Sequence, residues 1–153
     1  MAPPEDKKIY RIRCAKTANQ VLELNDGQIW NRISLAKRDT AKASQKWKVY
    51  KTSNNEYYMD NEDEDTAYIS PPADHSDGQL FASNLKPEKN EILRWRLAED
   101  SDGSFKVENV AFRNRVVDVA NDPATPGPGD KAIIYKSKDA HFENQRWNFD
   151  LVD

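Results

Sequence analysis

The residues best placed to do chemistry lie in the last third of this 153-residue chain. Asp118 offers a carboxylate that accepts two hydroxyl hydrogen bonds, Tyr135 an aromatic face that covers an apolar ring, and Asn144 an amide that both donates and accepts. These are the groups that a polyhydroxylated ligand with one apolar face requires. Trp30, next to the Asn25-Asp26-Gly27 turn, is expected to be a buried edge of the core, with a stacking platform as the alternative.

Other candidates lead away from catalysis. Asp60-Asn61-Glu62-Asp63-Glu64-Asp65 invites a calcium reading, but a loop starting at Asp60 puts Asp65 where the EF-hand needs Gly and Pro71 where it needs Glu. A solvated acidic loop is the expectation. His75 and His141 sit in polar, loop-like contexts, and neither belongs to a His-x-x-x-His or His-Glu-x-x-His pattern. No Gly-x-Ser-x-Gly elbow and no phosphate-cradling glycine loop occurs. The expectation is a binding protein with no cofactor and no metal, not an enzyme.

Composition agrees. A net charge of −3 and a pI near 5.5, with Lys and Arg scattered, provide no field for a phosphate backbone, so nucleic acid is not an expected partner. The start of the sequence, with Pro3, Pro4, Glu5, Asp6, Lys7 and Lys8, carries charge where a secretory signal needs an apolar run, and no later stretch is long enough to span a membrane. A cytoplasmic protein is expected. Cys14 is the only cysteine, and alternation places it on one strand face with Tyr10 and Ile12, as an inert buried thiol.

The elements that must position these groups are strands. Short apolar and polar alternations recur between turn signals such as Asn25-Asp26-Gly27, Asn54-Asn55 and Asp102-Gly103, and no window keeps a helical period over three turns. The chain also repeats. Tyr10-Arg11-Ile12-Arg13 superposes on Phe105-Lys106-Val107-Glu108 at an offset of 95, and the register continues through Asn19 on Asn114 and Glu23 on Asp118. Gln45-Lys46-Trp47 matches Gln145-Arg146-Trp147 at an offset of 100, which puts five extra residues in the third copy, expected in the loop 123–129. Tyr57 opens a middle copy that Leu93-Arg94-Trp95 closes. Three copies, about 8–52, 53–101 and 102–153, cannot bury their apolar faces singly and must share one core. The expectation is one all-β domain over 1–153, a β-trefoil with a pseudo-threefold axis and no open sheet edge.

Asp118-Val119, Gly129, Ala132-Ile133-Ile134-Tyr135 and Asn144-Gln145-Arg146-Trp147 resemble the ricin-B lectin repeat, with its early Asp, its Gly before a strand ending in an aromatic, and its closing Gln-x-Trp. The resemblance covers essentially the whole chain at low similarity, and it is nearest to the cytosolic β-trefoil lectins and protease inhibitors of mushrooms. It implies a glycan or glycoprotein partner and a carbohydrate site in the third copy at Asp118, Tyr135 and Asn144, with Gln145 holding Asp118 from behind. Ile133 departs from the pattern, since a polar residue often stands two before the aromatic. In the first copy Glu23 replaces the Asp, Ser44 replaces the Asn, and the aromatic position falls near Leu35, so any second site would rest on Glu23 and Trp30. Ser70 and Ile92 leave the middle copy without a carboxylate or amide. A single shallow site implies weak binding, with avidity coming from a second site or a homodimer. The alternative implied by the same scaffold is a protease inhibitor, with Arg32, Lys37 or Arg38 entering a trypsin-like pocket.

Overall fold

Among the described residues, alternation and turn residues give thirteen short strands. The computed structural model describes residues 2–72, 77–138 and 142–152, and His75 and His141 lie outside them. In chain order the strands are β1 (Lys8–Cys14), β2 (Gln20–Leu24), β3 (Ile33–Lys37), β4 (Trp47–Lys51), β5 (Tyr57–Asn61), β6 (Tyr68–Ser70), β7 (Gly78–Gln79), β8 (Phe81–Ser83), β9 (Trp95–Glu99), β10 (Phe105–Asn109), β11 (Arg115–Val119), β12 (Ala132–Lys136) and β13 (Trp147–Leu151). Among the described residues the only helical pieces are 3-10 turns of three residues, and no helix is long and apolar enough to cross a membrane.

Six strands close a barrel, because β1 pairs β4, β4 pairs β5, β5 pairs β9, β9 pairs β10, β10 pairs β13, and β13 returns to β1. Six of the other seven form three hairpins, β2 with β3, β6 with β8, and β11 with β12, and the short β7 pairs with β12. Backbone bonds tie the hairpins to one another, from Ile33 N–H to Leu80 and from Leu80 N–H to Ala132, both at 2.9 Å.

The threefold register is carried by the aromatics. Tyr10 stands opposite Trp47, Tyr57 opposite Trp95 and Phe105 opposite Trp147. All three tryptophans are completely buried, and their indole N–H groups donate to Leu22, Ile69 and Val117 carbonyls at 3.1, 3.2 and 3.0 Å. The bond satisfies the one polar atom that a buried tryptophan carries. Phe149 meets Tyr10 and Phe105 edge to face, at centroid distances of 6.1 and 5.9 Å. This is a β-trefoil, as the repeats imply. Cys14 faces Trp147 as Asn61 faces Trp47 and Asn109 faces Trp95. It is wholly buried, and desolvation pushes its thiol up to about 11, so it is unreactive.

Three details of the connections differ from the sequence reading. Asn25-Asp26-Gly27 is not a tight hairpin turn but a 3-10 turn opening the longer connection 25–32, with Asp26 and Gly27 at φ 56° and 59°. Gly27 is required twice, since the Asp63 carboxylate lies where its Cβ would stand. The acidic stretch is therefore not wholly solvated: Asp63 covers Gly27, and Asp60 is half-buried, accepts the Ala67 N–H at 2.9 Å, and is pushed up to about 6 by burial. Finally, Lys37 aligns with Lys136 at the ends of β3 and β12, so four of the five extra residues fall in the connection 120–131 and the fifth between Lys136 and Gln145.

Candidate functional site

The β11–β12 hairpin builds a pocket. Cross-strand pairing sets Asp118 against Ile133 and Val116 against Tyr135, and the two-residue period of β12 puts Ile133 and Tyr135 on the same face. With Asn121, Asp122, Lys138 and Phe142 they enclose a cavity of about 340 Å³. Tyr135 is 44% exposed, a wall with an open ring, whereas Asp118 is buried at the floor.

Gln145, fully buried, fixes that floor. Its Nε2 donates to Asp118 Oδ2 at 3.2 Å and to the Lys136 carbonyl at 2.8 Å, while its Oε1 accepts the Lys138 N–H at 3.0 Å. The second carboxylate oxygen, Oδ1, is buried and has no hydrogen-bond partner among the described residues. Burial pushes the Asp118 acid up to about 6 against the pull of the Gln145 bond and of the nearby Val119 backbone N–H.

Asn144 is oriented differently from the sequence expectation. Its Nδ2 donates to Asp122 Oδ1 at 2.5 Å and to the Pro123 carbonyl at 3.4 Å, so its amide hydrogens pin the 120–131 connection and do not open into the pocket. Sequence reasoning missed Asn121, Asp122, Lys138 and Phe142. Asn121 and Asp122 take positive φ, 67° and 47°, as Asn and Asp tolerate best among residues with a side chain, and that dipeptide directly after a strand was the available signal. Lys138 and Phe142 left none, since only folding brings the Lys138 Nζ to 4.4 Å from the Phe142 ring centre.

In the first copy Glu23 holds the place of Asp118, and Gln45 treats it alike, donating from Nε2 to Glu23 Oε2 at 2.9 Å. Lys42 lies 3.6 Å from the same oxygen. The residue opposite Val21, in the place of Tyr135, is Ala36 and not Leu35, so the wall is missing. A cleft of about 510 Å³ remains, bounded by Glu23, Asn25, Arg32, Ser34, Gln79 and Lys131. Trp30 does not line this cleft, so Glu23 and Trp30 do not share one pocket. Nor is Trp30 a buried edge of the core: it is 50% exposed, with one face stacked on Phe81 at 6.0 Å. In the middle copy Ser70 is buried and donates to the adjacent Pro71 carbonyl at 2.8 Å.

The basic residues lie at the surface. Arg32 precedes β3, Lys37 ends it, and Arg38 follows with its N–H on the Asn19 carbonyl at 2.7 Å. Asp39 N–H donates to Gln45 Oε1 at 2.8 Å, which braces the loop. The third copy repeats that brace at Ser137 and Lys138, at 2.7 and 3.0 Å, so it belongs to the scaffold and does not single out an inhibitory loop.

No family model matches the chain, and no curated protein matches it. Solved structures do. A mosquitocidal holotoxin superposes with a TM-score of 0.85 at 16% identity over 98% of this chain, which spans 18% of that much longer one. The Rhizoctonia solani agglutinin gives 0.79 at 20% identity over 99% of this chain and 100% of its own. A Macrolepiota procera ricin B-like lectin, solved in complex with lactose, gives 0.74 at 18% identity over 97% and 99%. At these identities the likeness is one of fold, the β-trefoil that ricin B-like lectins use.

Proposed function

We propose that this β-trefoil is a lectin, binding a glycan without catalysis through the pocket of its third copy. The observation that carries the reading is the buried Oδ1 of Asp118, without a hydrogen-bond partner among the described residues, in one pocket with the exposed ring of Tyr135. A buried acceptor without a donor is costly, and a sugar hydroxyl supplies the donor while the ring covers the apolar sugar face. Gln145 keeps the carboxylate from turning away, and Asp122, held by Asn144, adds a second acceptor at the rim. One shallow site of this kind gives about −4 to −5 kcal/mol, millimolar to high-micromolar binding.

A glycan array tests the reading, and pH sharpens it. Hydroxyl donors favour the ionised carboxylate, so ligand and proton compete for Asp118 as pH falls through about 6. Affinity for the array's best glycan, measured by calorimetry, is expected to fall about tenfold between pH 7 and pH 5, and Asp118→Asn removes that dependence. Folding stability should move the other way. Asp118 and Asp60 have native-state values raised above their unfolded ones, so the native state takes up protons first and both groups favour folding more as pH falls from 7 toward 4. Weaker binding at unchanged or higher Tm therefore marks the site; an affinity flat in pH would remove Asp118 from it.

A further inference from the structure

Trp30 occupies a glycine's place. In the third copy Gly129, at φ 88°, donates its N–H to Leu35 at 2.8 Å, and β12 begins three residues later. In the first copy Trp30, at φ 69°, donates its N–H to Ala82 at 2.9 Å, three residues before β3. Leu35 and Ala82 are themselves equivalent, since Leu35 pairs Leu22 and Ala82 pairs Ile69, the two residues whose carbonyls receive Trp47 and Trp95. The fold thus asks this position for one backbone bond in a left-handed conformation, which glycine provides without strain and an aromatic residue does not.

The side chain does not repay that strain by burial. Trp30 is half exposed with its ring stacked on Phe81, whereas Trp47, Trp95 and Trp147 have no exposure at all. Arg32, exposed and two residues on, is bridged in the sheet to Phe81 and lines the first-copy cleft. We propose that Trp30, stacked on Phe81 and two residues from Arg32, is a second saccharide-binding surface, in which a pyranose ring stacks on the exposed indole and Arg32 donates to its hydroxyls. It rests on the lectin reading above but uses neither Asp118 nor the Glu23 carboxylate, which Gln45 and Lys42 already engage. A half-exposed indole suits the apolar side of a sugar ring, and a second site supplies the avidity that one weak site lacks.

Because the other three tryptophans are buried, ligand at this surface reports through a single fluorophore. The glycans that bind best on an array are titrated against the wild type, Asp118→Ala and Trp30→Gly. The expected result is an indole emission shift, with protection from acrylamide quenching, in the wild type and in Asp118→Ala, and no shift in Trp30→Gly. Calorimetric stoichiometry falls from two to one in either variant, and binding to a densely coated surface falls about a hundredfold. Trp30→Gly keeps or raises Tm, since glycine fits the backbone. A glycan that binds while leaving the emission unchanged overturns this surface alone. Binding untouched by Asp118→Ala, with the shift retained, overturns only the third-copy site. A clear drop in Tm for Trp30→Gly makes the indole a packing residue and ends the proposal.

Discussion

Asp118→Ala abolishes binding at the third-copy pocket, while Glu23→Ala leaves glycan binding unchanged. Both side chains sit at the same place in their copies, both accept a bond from the glutamine of a Gln-x-Trp, and both are truncated by the same change. What differs is the surroundings: a carboxylate oxygen without a partner among the described residues and a tyrosine wall at one, a lysine and an alanine at the other. Hydrogen bonds to a charged group contribute about 1.5–3 kcal/mol each, a large part of a weak sugar affinity, so losing them leaves nothing measurable at that pocket. Tyr135→Ala acts likewise through lost stacking, and Tyr135→Phe is mild, because the ring face does the binding. Calorimetry on the four variants checks the contrast. Loss on Glu23→Ala with binding retained in Asp118→Ala would place the main site in the first copy.

Trp147→Ala destabilises the fold by about 3–5 kcal/mol, as expected for deleting a buried aromatic. Trp147 belongs to β13, whose pairings with both β1 and β10 close the barrel, and its indole donates to Val117 in the hairpin that carries Asp118. The substitution opens a cavity in the shared core and deprives a buried carbonyl of its donor. Denaturant unfolding should show a lower midpoint with the same slope. Trp147→Phe, which keeps much of the volume but not the N–H, should cost less. A loss below about 1 kcal/mol would mean that the third tryptophan is not a core residue in the sense of the other two.

The barrel was legible because its signals are large side chains at fixed spacing: Tyr10, Tyr57 and Phe105 open the copies, Trp47, Trp95 and Trp147 close them, and each pair meets across two strands. The Asp118–Gln145 bond was foreshadowed by family likeness and is present in the fold. The connections were less legible. Without the strand register, nothing in the sequence says that four of the extra residues precede β12 and only one follows it, and that bookkeeping decides whether Leu35 or Ala36 stands in Tyr135's place. The same gap hid the equivalence of Trp30 and Gly129, since a tryptophan does not look like a glycine until the backbone of both is known. The orientation of Asn144 was illegible for another reason: an amide's type is written in the sequence, but the direction of its hydrogens depends on Asp122, twenty-two positions away.

The pairing of β1 with β13 also bears on how the molecule is made. Tyr10 meets Leu151 and Cys14 meets Trp147, so one seam of the barrel joins strands at opposite ends of the sequence. Contacts of such sequence separation are slow to form, and on a ribosome this seam has no partner strand until residues 147–151 have emerged. Until then the apolar face of β1, with Ile12 and Cys14, must wait uncovered on one side. Between the synthesis of β1 and that of β13 this face of the nascent chain is therefore open to aggregation or chaperone capture, and the arrival of β13 ends that exposure.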